Sequence, residues 1–151
     1  MHMRLFFVLL ALFGGITVSR GQYGGYTADS KTAGDAVKAA AFKNGYQYLI
    51  TFEETNAGAI NVNKQTNYLV VYVYQNPNNQ AVTQRAHLMT PDSVLLKQYS
   101  AKPDNLGRVG TAAVSRLRFR TRNFNGGDGD TRPVKFEANP KATIYVFYKK
   151  A

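Results

Sequence analysis

The chain has 151 residues, 44 % hydrophobic and 13 % aromatic, without cysteine or tryptophan, and its 19 basic and nine acidic side chains give a net charge of +10. The lack of cysteine excludes disulfides and thiolate zinc clusters, so a folded state rests on packing and hydrogen bonds. The basic excess attracts acidic polymers, anionic lipid surfaces and mineral anions, but attraction of this kind does not select among them.

The N-terminus reads as a secretory signal peptide over residues 1–21. Met1 to Arg4 is a short basic start, Leu5 to Phe13 is apolar throughout, and Gly14 to Gly21 is small and polar. The apolar run is too short for a bilayer span, which needs about 20 residues. A buried strand or helix is the competing reading, but Arg4 and the small-residue tail stand where a signal requires them. Cleavage after Ser19 or Gly21 is expected. The second site is preferred and exposes Gln22, which can cyclise to pyroglutamate. Removal of residues 1–21 takes away Arg4 and Arg20 and no acid, leaving seventeen bases against nine acids and a charge of +8. A secreted, extracellular location follows from this reading, with acidic extracellular polymers or a mineral surface as partners, no nucleic acid and no transmembrane span. No Asn-x-Ser/Thr acceptor occurs in the sequence.

Residues 22–29, rich in Gly and Tyr, read as a flexible arm, and residues 30–151 as one β-rich domain. Ser30 to Asn44 is the helical candidate. Thr32 is the expected cap, Ala36, Val37, Ala40 and Ala41 form one stripe, and Gly45 is the stop. From there the chain reads as β. Tyr46, Tyr48, Ile50 and Phe52 alternate with Gln47, Leu49, Thr51 and Glu53, and Asn56-Ala57-Gly58 is a turn. Thr66 to Gln75 is apolar on both faces and predicts a central, doubly covered strand. Asn76-Pro77-Asn78-Asn79 breaks it, and Gln80 to Met89 is read as the return strand of a hairpin. Turns at Thr90-Pro91-Asp92 and Lys102-Pro103-Asp104-Asn105 bracket a short segment, Ser93 to Tyr99. Arg108 to Asn123 is a long strand bent near Gly110. Val134 to Glu137 is a short strand, Asn139-Pro140 a turn and Lys141 to Lys149 the last strand. The fold class is mainly β, a sandwich or compact antiparallel barrel, with one short N-terminal α-helix.

Arg116, Arg118, Arg120 and Arg122 alternate with Leu117, Phe119 and Thr121. On a strand they share one face, spaced about 7 Å apart. Guanidinium forks suit sulfate, carboxylate or phosphate, so the pattern predicts a linear anion-binding ladder. The bland alternative is a solvated face whose heads pair with Glu53, Glu54 or Glu137. Asn123, Asn125, Asp128 and Asp130 in a Gly-rich loop offer oxygen ligands for calcium. The twelfth position counted from Asn123 is Val134, not an acid, and Arg122 and Arg132 flank the loop, which favours a plain turn. Tyr23 and Tyr26 are candidates for oxidative cross-linking against the reading of an ordinary loose arm. His87, the one histidine beyond the leader, is read as structural. No hydrolase elbow, Walker loop or dinucleotide fingerprint appears, so the expectation is no enzyme and no cofactor.

These readings converge on a secreted, basic, cysteine-free, non-enzymatic structural protein of an extracellular matrix, including biominerals such as shell, that associates with acidic matrix components. The alternative is a secreted module binding acidic glycans. The third reading is a membrane-active toxin, weakened by the Ala-rich helix and the missing tryptophan.

Overall fold

The computed structural model describes residues 27–89, 95–121 and 131–151. A helix, α1 (Ala28–Lys43), precedes seven strands: β1 (Gln47–Val62), β2 (Thr66–Gln75), β3 (Thr83–Met89), β4 (Leu95–Ala101), β5 (Asp104–Val109), β6 (Ala112–Arg120) and β7 (Arg132–Lys150). All pairings are antiparallel. The sheet runs β4-β3-β7-β2-β6-β5, and β1 lies along the other side of β7. The mainly-β expectation with one helix near the start holds. Residues 1–21, read as a signal peptide, most of the expected arm, Tyr23, Tyr26, Arg122, Asn125, Asp128 and Asp130 lie outside the described residues.

The helix begins two residues before Ser30. Its cap is Thr27, not Thr32: the Thr27 hydroxyl accepts from the Ser30 N–H at 3.2 Å, while Thr32 Oγ1 donates to the Ala28 carbonyl at 3.0 Å inside the helix. Ala28 and Asp29, read as arm, are therefore helical. The stop at Gly45 is as expected. With φ at +81°, Gly45 lets its own N–H reach the Phe42 carbonyl and the Tyr46 N–H reach that of Ala41, both at 3.0 Å, which satisfies carbonyls the helix leaves open. The small face of α1 (Ala33, Gly34, Ala36, Val37, Ala41) is buried against the sheet. Its smallness permits close approach: a Cβ on Gly34 would lie 2.2 Å from the Tyr145 hydroxyl.

Strand β2 is central and covered on both faces, as its sequence predicts. Tyr68, Val70, Tyr72 and Tyr74 enter a first core with Ile60, Leu117, Phe136 and Ile144. Leu69, Val71 and Val73 enter a second core with Ala33 and Val37 of α1, Leu106, Val114 and Phe147. All residues from Tyr68 to Tyr74 are buried. At about 1.5–3 kcal/mol for each large apolar side chain, this strand holds the two layers together.

Four expected boundaries are corrected. The segments read as Val134 to Glu137 and Lys141 to Lys149 form one strand, β7, that continues through Asn139-Pro140, a cis peptide. Its first part pairs with β3 and its second with β2. Asn56-Ala57-Gly58 is not a free turn but an irregular part of β1, with register shifts on both sides of Thr55. Asn56 Nδ2 donates to the Ala138 carbonyl at 2.9 Å and keeps the chain on the sheet. The strand after Asn76 does not return to β2. Asn76 closes its own loop, donating to the Gln80 carbonyl at 3.0 Å and accepting from the Gln80 N–H at 2.8 Å, and β3 pairs with β7 and β4 instead. Finally, Gly110 is a hairpin turn between β5 and β6, not a bend in one strand. The buried Asp29 carboxylate fixes this turn by accepting from the Thr111 N–H at 2.8 Å and hydroxyl at 2.9 Å.

Candidate functional site

Alternation on β6 places Arg116, Arg118 and Arg120 opposite Val71, Leu69 and Asn67 of β2. Val71 and Leu69 face the second core. The three arginines therefore stand on the helix side of the sheet, as their spacing predicts, about 7 Å apart along the strand. One row further across the sheet, Asn67 pairs with Lys149 of β7. Strands lie about 4.8 Å apart, so Lys149 stands roughly 10 Å from Arg120 on the same face. Its ammonium donates to the Asn44 carbonyl at 3.2 Å and lies 4.8 Å from the centre of the Tyr46 ring. Lys43, in the last turn of α1, adds a further positive charge to this end of the helix.

Among the described residues, none of the three guanidinium groups makes a hydrogen bond or an ion pair within 4.0 Å. The pairing with Glu53, Glu54 or Glu137 does not occur there. Glu137 is engaged at the other part of β7, 3.0 Å from His87 Nε2 and 4.0 Å from Lys135 Nζ. Arg116 is partly buried. Loss of water pushes its guanidinium pKa down and Arg118 adds to that, while Asp104 and Tyr46 oppose it. Asp104 stands opposite Arg116 in the β5–β6 pairing, so a carboxylate faces that end of the row, while Arg118 is a like charge beside it.

The sequence reading missed the apolar margin of this face. A bulge between Tyr48 and Ile50 sets Tyr48 opposite Phe147 and Ile50 opposite Val146, so the alternating set is split between the two sides of the sheet. Phe42 and Tyr48 remain 53 % and 47 % exposed, and each meets Phe147 edge-on at 6.1 Å. Leu49 and Ile50 are also exposed. Strict alternation hides such a cluster, because it assumes that no bulge shifts the faces.

His87 is buried. Its Nε2 faces Glu137 Oε2 at 3.0 Å, and its Nδ1 meets no partner. No three His, Asp or Glu side chains among the described residues converge on a metal position. No described helix is long and apolar enough to cross a membrane. No family model, curated protein or solved structure matches the chain.

Proposed function

We propose that the protein is a secreted, non-enzymatic matrix component that holds acidic extracellular polymers on the β6 face. The observation that carries this reading is the row Arg116, Arg118 and Arg120, which shares its face with Lys149; Asp104 of β5 stands opposite Arg116, and none of the three forms an ion pair within 4.0 Å among the described residues. The basic charge of the whole chain draws a polyanion toward the molecule, and the regular spacing of the forks offers successive contacts to carboxylates or sulfates. An acidic matrix, including that of a mineralised tissue such as shell, supplies such polymers.

The test is salt elution from immobilised heparin and immobilised polyaspartate. Arg118→Ala/Arg120→Ala is expected to elute earlier from both, with the slope of log affinity against log salt reduced by roughly 1–2. Arg85→Ala/Lys141→Ala removes the same charge on β3 and β7, away from β6, and is expected to change little. Equal losses in the two double variants would make the attraction diffuse and overturn the proposal. Retention on heparin alone would narrow the role to a glycan-binding module. Dye leakage from anionic vesicles would favour the membrane-active reading, for which the exposed Phe42 and Tyr48 speak.

A further inference from the structure

On the opposite face of β6, neighbouring side chains open a second, separate feature. Ala113 and Ser115 line a cavity of about 450 Å³ together with Tyr74 of β2, Gln84 of β3, Arg108 of β5 and Lys102 before β5. This volume falls in the range of small-molecule sites, about 300–1,000 Å³. Val82, Ala113 and Pro103 supply apolar lining, and among the described residues no carboxylate lines it.

The polar lining combines two cations and two hydroxyls with five side-chain amides, which offer both donors and acceptors. Gln84 is 5 % exposed, and its Nε2 is buried without a partner. A buried amide donor left unpaired is costly, and such groups are rare in folded proteins. The Tyr74 and Ser115 hydroxyls lie 3.3 Å apart. Arg108 is tethered at the rim by the Asn76 carbonyl at 2.6 Å and by Asn79 Oδ1 at 3.4 Å. A guanidinium has five donor hydrogens, so those tethers fix its plane and leave others to offer. Lys102 adds a second cation at the same cavity.

We infer that this cavity binds a single acidic sugar unit, a hexuronate. Arg108 and Lys102 take its carboxylate, and the ring hydroxyls meet Gln84 Nε2 and the Tyr74–Ser115 hydroxyl pair. The inference is independent of the arginine row, since Ser115 and Arg116 point to opposite faces of β6.

The probe is methyl β-glucuronide, titrated into the full chain and followed by calorimetry and by the Gln84 side-chain amide signal in ¹H–¹⁵N spectra. Methyl β-glucoside and sodium sulfate are the comparators. The glucuronide is expected to bind, to shift the Gln84 amide, and to lose about tenfold or more in affinity with Arg108→Met, as for a hydrogen bond to a charged group. Gln84→Glu, which removes the donor and adds a like charge, is expected to lose at least as much. The glucoside is expected to bind at least about tenfold more weakly, the carboxylate contact being lost. Arg118→Ala/Arg120→Ala is expected to leave all these values unchanged. Because Arg108 is exposed, its variant tests the site even if changes at Gln84 prevent folding. No binding at tens of millimolar glucuronide would overturn the inference. So would undiminished binding by Arg108→Met, or sulfate producing the same amide shift with the same dependence on Arg108.

Discussion

Asp29, in the first turn of α1, and Gly110, in the turn between β5 and β6, share one space, which makes their energies non-additive. Asp29 is 2 % exposed, and its Oδ2 receives both polar hydrogens of Thr111. Hydrogen bonds to a charged group are worth about 1.5–3 kcal/mol each, so Asp29→Ala is expected to cost about 3 kcal/mol after partial relaxation. For a domain of this size, that lowers Tm by roughly 10 °C. Gly110 has φ of +58°, and a Cβ there would lie 2.3 Å from Asp29 Oδ2 and 2.6 Å from its Cγ. Gly110→Ala thus incurs about 1–2 kcal/mol for the left-handed backbone and also displaces the carboxylate from Thr111. Its total cost is expected to reach about 4 kcal/mol. In the Asp29→Ala background the displacement has nothing left to break, and only the backbone cost remains. The double variant is therefore expected to be about 2–3 kcal/mol more stable than the sum of the single losses. Urea denaturation followed by far-ultraviolet circular dichroism measures all four proteins of the cycle. Additivity within about 0.5 kcal/mol would refute the reasoning.

Two further outcomes follow from burial. Tyr72 has its hydroxyl pKa raised well above the ordinary phenol value, mainly by burial and then by the charge of Glu137, and burial likewise raises that of Tyr68. The unfolded chain ionises near pH 10 and the folded one later, so this contribution to stability is intact below about pH 9 and declines as pH rises past 10 toward the folded values. Urea midpoints measured from pH 8 to 11 are expected to fall above 10, and to fall less in Tyr72→Phe; identical pH profiles for the two proteins would contradict this. Gly34→Ala gains about 1 kcal/mol of helix propensity. It also drives a Cβ to 2.2 Å from the Tyr145 hydroxyl and 2.9 Å from its Cζ. Overpacking of this kind costs about 1–3 kcal/mol. A lower Tm is expected, and a higher one would show that α1 can slide away from the sheet.

Local signals made part of this fold legible in the sequence. The two-faced apolar run of β2 identified a central strand, because a residue pattern without a polar side has nowhere to meet water. Gly45 marked the end of α1, because a left-handed residue there closes the open carbonyls. The face shared by Arg116, Arg118 and Arg120 followed from the two-residue period of a strand. Several misread features depend on long-range partners, whereas the Thr27 cap and the Asn76 loop are closed by bonds three and four residues away. Asn139-Pro140 resembles a turn in isolation, yet β1 lies beside it and carries the chain across. Gly110 resembles a bend, yet Asp29, far away in sequence, holds it as a hairpin. The cavity beside Gln84 was invisible for the same reason, since its lining comes from four strands and two connecting segments.

The connectivity of β7 also sets how the molecule must come together. Among the described residues this strand is the one bonded neighbour of β1, and it joins the β3–β4 pair to the rest of the sheet. The contact between Gln47 and Tyr148 closes a separation of 101 positions. Pairings this distant are assembled slowly, because a long stretch of polymer loses its freedom before any bond rewards it. Until β7 docks, β1 is a long ribbon with both edges bare and Phe52 uncovered, a state open to capture by other chains. Synthesis from the N-terminus leaves β1 waiting through the production of every other strand, so a helper that shields it in the interval is expected to raise yield.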